Sequence, residues 1–326
     1  MPGSLTARRL VADVGGSNVR FALADRGGAL QRIETRRVAD CVSFVAALTD
    51  YLEGQNRAVV EACAVAAAGP VDDGRVTLTN YAWTIDRAEV AAALAGVPVA
   101  VVNDLEAVAA ALPHLGAEDW TAIGRLAPVR PERRTMLAFN VGTGLGAASA
   151  ACRDRGWINN PSEAGHMTLG PLAIDGIEIA PKGASIEDVL SGGGVVELYG
   201  RVAGALNKRA HAIADAAEVF ARANEDAIAA RALELLTLVL GRVAGDLALA
   251  FAAWGGVYFC GSVATAWAPL ADAAAFRAEF IRKGPMQARL EKVPTVVIRR
   301  EQVALFGLAM MPVPDSVLSG DRGAAR

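Results

Sequence analysis

Apolar residues recur along this chain with two periods, and the switches between them mark out its elements. Arg9-Leu-Val-Ala-Asp-Val-Gly-Gly-Ser-Asn-Val-Arg-Phe-Ala-Leu-Ala-Asp25 reads as strand, glycine turn and strand. The pattern predicts a β-hairpin in which Gly15 and Gly16 supply the positive φ of a tight turn. A third strand is predicted over 30–38, an amphipathic helix over 42–53, and a buried strand over 58–67 that ends at Gly69-Pro70. After the turn Asp72-Asp73-Gly74 come a short strand over 75–79 and a helix over 87–94. Val99-Ala-Val-Val-Asn-Asp104 is too short and too β-branched for a buried helix, whereas 105–112, closed by Pro113, returns to helical spacing. Asp104 therefore stands at a strand-to-helix junction.

The second half opens as the first does. Arg134-Thr-Met-Leu-Ala-Phe-Asn-Val-Gly-Thr-Gly-Leu-Gly-Ala-Ala-Ser-Ala-Ala-Cys152 again gives apolar strand, glycine turn and strand of small residues, which indicates internal duplication. The Pro- and Arg-rich piece over 127–134 reads as the connection between halves. Residues 159–166 are polar and without period. Helices are predicted over 185–190, 195–207, 214–223, 226–253, 277–283 and 301–310, and a late strand between glycines over 254–261. The organisation expected is a smaller domain over 1–133, a larger one over 134–313 whose last helix returns to the first domain, and a mobile tail over 314–326.

Composition narrows the class. The chain has 326 residues, 53% hydrophobic and 21% charged, with a formal net charge of −3. That length fits two cores, and the charge gives no footprint for nucleic acid or an anionic membrane. Cys41, Cys63, Cys152 and Cys260 lie far apart with no CxxC pair, the pattern of free thiols in a reducing compartment. With no signal-peptide pattern at the start and charges interrupting the apolar run over 227–251, the protein is expected to be cytoplasmic.

The chemistry lies at the strand ends. A carboxylate delivered to the crevice beyond the carboxyl end of a strand can meet a substrate hydroxyl, although Asp104 could equally cap the next helix. A glycine turn points backbone N–H groups into a concavity suited to phosphate, and Asp13 before the first turn could hold magnesium directly or through water. Ser17 and Thr143 add hydroxyls, while each turn taken singly reads as only a turn. Gly142-Thr-Gly-Leu-Gly146 has the wrong spacing for a dinucleotide loop, and Gly-Lys occurs nowhere, so no Walker lysine exists. Glu163 and His166 read as a local ion pair and Glu187 as an acid in a first helical turn. Together with Asn103 and Asp104 they could instead ring a polyhydroxylated ligand. His114 and His211 look incidental.

In their order, Val11-Ala-Asp-Val-Gly-Gly-Ser-Asn-Val-Arg20, Val102-Asn-Asp-Leu105, Val141-Gly-Thr-Gly-Leu-Gly146, Pro161-Ser-Glu-Ala-Gly-His166 and Ser185-Ile-Glu-Asp-Val-Leu-Ser-Gly192 resemble the bacterial glucokinase family. Gly255-Gly-Val-Tyr-Phe-Cys-Gly261 and Thr79-Asn-Tyr-Ala-Trp83 resemble two further segments of it. The likeness runs over about residues 10–311. It implies an α/β, two-domain actin-like ATPase fold, ribonuclease H-like and duplicated, with a cleft between domains. It also implies transfer of the γ-phosphoryl group of ATP to the 6-hydroxyl of glucose, with Mg2+ as cofactor and a homodimer as the assembly. By the same resemblance Asp104 is the general base, and Asn103, Asp104, Glu163, His166 and Glu187 hold the sugar. Ala12, Asp13, Val14, Gly15, Gly16 and Ser17 together with Gly142, Thr143 and Gly144 cradle phosphates, Asp13 places magnesium, and Gly255, Gly256 and Gly261 lie near adenosine.

Ser17 keeps the hydroxyl of the family's threonine. Ser262 stands where a second glycine is usual and narrows the nucleotide side; Asn140, Val141 and Ala164 are milder departures. The zinc motif of related repressors and a helix-turn-helix start are missing, against a DNA-binding regulator. Two other functions share these residues: a kinase for another hexose or an amino sugar, and a catalytically weak sugar sensor. Retention of Asp104 argues against the sensor, because binding needs no base.

Overall fold

The computed structural model describes residues 9–56, 58–78, 83–127, 134–153 and 156–313. Residues 79–82 of the aromatic segment, 128–133 of the connecting piece and the tail 314–326 lie outside the described residues. Two compact units are formed, one by the chain up to His114 together with the chain from Glu301, the other by Leu115–Arg300. The division falls ahead of the Pro- and Arg-rich piece, and Trp120–Ala122, on the first side of that piece, is an edge strand of the second unit.

The first unit is built on β1 (Arg9–Val14), β2 (Asn18–Ala24), β3 (Leu30–Arg37), β4 (Ala62–Ala67) and β5 (Val99–Asn103), ordered β3-β2-β1-β4-β5. Strands β1 to β3 are antiparallel, while β1, β4 and β5 run parallel. The second unit adds β6 (Trp120–Ala122), β7 (Met136–Val141), β8 (Leu145–Arg153), β9 (Gly156–Ser162), β10 (Gly256–Cys260) and β11 (Thr295–Ile298), ordered β9-β8-β7-β10-β11-β6. Here β9, β8 and β7 are antiparallel and β7, β10 and β11 parallel. One topology therefore occurs twice, as the two glycine turns predict, and β6 is an addition at the edge.

Strand alternation divides the first sheet into unlike faces. One carries Leu10, Ala12, Phe21 and Leu23 and is covered by the helix Phe44–Gly54, with Phe21 against Tyr51 at 5.1 Å between ring centroids. The other carries Val11, Ala22, Ala64, Ala66 and Ala100, small residues that let the helix Val303–Met310 lie close. Arg9 donates to the carbonyls of Leu308, Ala309 and Met311 at 2.8, 2.9 and 2.6 Å, satisfying the end of that helix. Gly307 sets its distance from the helix Asp104–Ala111, because a methyl group there would overlap the carbonyl of Ala107.

In the second unit the helix Ala227–Ala250 is core. Its Gly241 and Gly245 meet the carbonyls of Phe276 and Phe280 on the helix Ala273–Ile281. The charges within its apolar run pair locally: Arg242 with the buried Glu279 at 3.2 Å, Asp246 with Lys283 at 2.6 Å. Among the described residues no helix is long and apolar enough to cross a membrane, and the four cysteines form no disulfide.

Several expectations are corrected. Gly15 and Gly16 do not take positive φ. The polar stretch 159–166 is in part strand β9, whose Pro161 is tolerated at a sheet edge. The helix expected over 277–283 spans Ala273–Ile281 and starts at Asp272, which accepts from Ala274 and Ala275.

Replacing Gly307 by alanine should destabilise the protein by about 1–3 kcal/mol in urea unfolding through overpacking. Gly200→Ala, at a helical site with nothing within 4 Å, should stabilise it by about 0.5–1 kcal/mol. An unchanged midpoint for Gly307→Ala would contradict the close packing of that helix pair.

Candidate active site

Three parallel strands of the first unit end level with one another. Val14 of β1 and Asn103 of β5 both pair with Ala67 of β4, so they stand two strands apart, about 10 Å. The hairpin Ala12–Ser17 and Asp104 are thereby brought to the same sheet edge. Asp13 is largely buried on the face of Val11, and Arg20 from the paired strand contacts it at 3.3 Å. Burial pushes the Asp13 carboxyl above its ordinary pKa, partly offset by the Arg20 charge.

At the Asp104 junction the capping role belongs to its neighbour. The Asn103 side chain accepts from Leu105 N–H at 2.9 Å and donates to the carbonyl of Gly69 at 3.0 Å. Burial raises the pKa of Glu106, opposed by its hydrogen bond to the backbone of Asn103. Asp104 is the first helical residue and its Oδ1 also accepts from Leu105, at 2.8 Å. The helix is capped without requiring Asp104, which leaves the cap an insufficient reason for a carboxylate there.

The second unit gathers its polar residues around the turn between β7 and β8. Glu187 Oε2 accepts from Leu145 N–H at 2.7 Å, and a methyl on Gly144 would run into that carboxylate. Gly165, between Glu163 and His166, lies so close to the carbonyl of Leu145 that no side chain fits. Ile186 N–H donates to Met167 at 2.9 Å, tying the segment of Glu163 and His166 to the helix that carries Glu187. Glu163, His166, Glu187 and Gly142–Gly144 are thus brought together. His166 and Glu163 stand 3.9 Å apart with both side chains largely exposed, a weak contact that leaves their polar atoms available to a ligand.

A cavity of about 420 Å³ adjoins the same turn. Gly142, Thr143, Gly192, Gly193, Ser262 and Asp215 give it polar and bare-backbone walls; Val196, Phe220, Val263 and Ala266 give it an apolar side. Gly192 N–H donates to the carbonyl of Gly142 at 2.8 Å, which holds the start of the helix Gly192–Ala205 against the turn. A flat apolar base with a phosphorylated tail matches this division.

The glycines at these sites fall into two groups. Gly144, Gly165 and Gly261 are required by the protein itself, for a methyl group would strike backbone or carboxylate, and Gly261 also takes φ +93°. Gly15, Gly142, Gly192 and Gly193 are not. None takes positive φ, and among the described residues a methyl on each would meet nothing nearer than 3.6 Å. Bare backbone where the fold makes no demand for it is what close approach of a phosphate requires.

Two predicted residues are set apart. Gly255 and Gly256 lie at the start of β10, with Gly255 bonded to Thr135 at 2.8 Å, while Gly261 and Ser262 follow its far end. Gly256 has φ +130°, and a side chain on Gly255 would crowd Met136 and Arg134, so both have structural reasons. Sequence reasoning missed the cavity walls Gly192, Gly193, Val196, Asp215 and Phe220. The triplet Gly192-Gly-Gly at the start of an amphipathic helix was the available signal.

Among the described residues no three His, Cys, Asp or Glu side chains cluster as a metal cage. Magnesium beside a nucleotide needs no cage, since it keeps several waters and takes phosphate oxygens with one or two carboxylates. The nearly buried Asp13, beside a turn of bare backbone, fits that donor set.

The family model described as glucokinase matches residues 10–313. A glucokinase of Nitrobacter hamburgensis is 36% identical over 328 residues, covering 96% of this chain and 99% of its own. The structure of a glucokinase from an Antarctic psychrotroph has a TM-score of 0.82 at 29% identity, covering 93% of this chain and 97% of its own. A ROK family glucokinase from Streptomyces griseus, solved in complex with glucose and AMPPNP, shares the fold at TM-score 0.61 and 20% identity, covering 92% and 98%. With a family model over nearly the whole described chain and relatives of the same length, this chain belongs to the glucokinase family.

Proposed function

We propose that this chain phosphorylates glucose at its 6-hydroxyl with ATP, and that Asp104 is the general base. The observation that carries the residue assignment is the Asp104 junction, where Asn103 caps the helix and a carboxylate is still retained at the strand end. Donor and acceptor are the kinds of ligand held by the Streptomyces griseus relative of the same fold. In this reading Asn103, Glu163, His166 and Glu187 take the sugar hydroxyls by paired donor and acceptor bonds. Asp104 accepts the proton of the 6-hydroxyl as its oxygen bonds the γ-phosphorus and the bond to the bridging oxygen of ADP breaks. The turns Ala12–Ser17 and Gly142–Gly144 receive phosphate oxygens, and the second-unit cavity receives adenosine. Asp13 would hold Mg2+, through water, and the ion would neutralise charge on the phosphates. ATP and glucose place the reaction in the cytoplasm, and on the family resemblance the working species is a homodimer.

Asp104→Asn should lower kcat by about 10²–10⁴ while glucose affinity by calorimetry stays within about threefold, because a base acts on the transition state and less on binding. Turnover near that of the parent would refute the assignment. Gly15→Ala should leave the melting temperature almost unchanged, yet raise KM for ATP by about tenfold or more, since its methyl occupies space that only a ligand uses. An unaltered KM would remove the hairpin from the phosphate site.

A further inference from the structure

At the opposite ends of β7 and β10 lies a second cavity, of about 580 Å³, within the range that holds small ligands. Arg134, Arg289 and Lys292 line it together with Trp254, Ala288 and Val293, and none of these is shared with the first cavity. Arg134 precedes β7 and Trp254 precedes β10, two parallel strands whose far ends carry Gly142 and Gly261. The two cavities are therefore separated by five residues of strand, about 16 Å.

Among the described residues the lining contains three cations and no acid. Among the described residues Arg289 and Lys292 pair with no carboxylate, and the carboxylate nearest in sequence, Glu291, is held by Gln287 at 3.1 Å. Arg289 is stacked on Trp254, 4.0 Å from its ring centroid. A stacked guanidinium keeps its N–H donors in one plane and loses little freedom when they meet oxygen. The like charges of Arg289 and Lys292 beside one concavity repel, and a dianion relieves that repulsion while accepting charge-assisted hydrogen bonds. The half-buried indole and the buried Val293 give the same cavity an apolar side. The whole chain carries a net charge of −3, so this is a local concave site and not a broad basic surface for a polyanion.

We infer that this cavity binds a phosphate monoester of a small molecule, with the phosphate among Arg134, Arg289 and Lys292 and the carbon skeleton against Trp254 and Val293. The test is calorimetric titration of the full chain with glycerol 3-phosphate, inorganic phosphate and glycerol. Saturable binding of glycerol 3-phosphate near ~1 mM or tighter is expected, weaker binding of phosphate, and none of glycerol. In the double variant Arg289→Gln/Lys292→Gln the ester should bind about tenfold more weakly or worse, with phosphoryl transfer unchanged. Lys292→Gln alone gives the same reading in smaller measure should the double variant fold poorly. No saturable binding, equal affinity in the variants, or phosphate bound as tightly as its ester would overturn the proposal. So would binding of anionic vesicles or RNA, lost in the double variant, without binding of the ester.

Discussion

The second unit depends on how closely other backbones approach the four residues Gly142–Leu145. Glu187 reaches the amide of Leu145, Gly165 lies on its carbonyl, and Gly192 bonds the carbonyl of Gly142. Three segments distant in sequence converge on one turn, two of them because side chains are missing at Gly144 and Gly165 where they would collide, the third through the hydrogen bond of Gly192. The consequence is functional as well as structural. The sugar-binding candidates Glu163, His166 and Glu187 acquire fixed positions from contacts that their own side chains make only in part. Positioning from rigid elements is the main resource of phosphoryl transfer, where the protein contributes little covalent chemistry.

The first unit solves a related problem with different residues. Its aromatic face fixes the sheet against the helix Phe44–Gly54, and its alanine face admits two helices at close range. Parallel pairing then brings Val14, Ala67 and Asn103 level, so the hairpin and Asp104 share an edge by register alone. Both sheets repeat one strand order, and in both the glycine turn follows the first strand of the parallel set. The repeated strand order supplies two glycine turns in equivalent places.

Much of this was legible in the sequence, because its informative residues are local. Strand, glycine turn and strand is a short-range signal, and Val99–Asn103 could be read from β-branching and length. The reason for Gly15 and Gly16 was misread: composition showed glycine, but only the backbone shows that no positive φ is involved. Strand β9 was missed because Asn159, Asn160 and Pro161 are poor strand formers carried at an edge. Strands β6 and β11 are three and four residues long, too short for a period to register. The family resemblance puts Gly255 and Gly256 beside adenosine together with Gly261, whereas the extended strand between them holds its two ends far apart. The cavity walls at Val196, Asp215 and Phe220 come from separate helices and leave no linear motif.

The central claim is a specific chemical exchange, and its most direct measurement is ADP release by the purified chain with Mg2+ and ATP, set against sugar consumed. Glucose, mannose, fructose and N-acetylglucosamine are compared at equal concentration. The account predicts ADP and glucose 6-phosphate formed one for one, with glucose turned over in strong preference to the other sugars. ADP release independent of sugar, silence with all four, or preference for N-acetylglucosamine would contradict it.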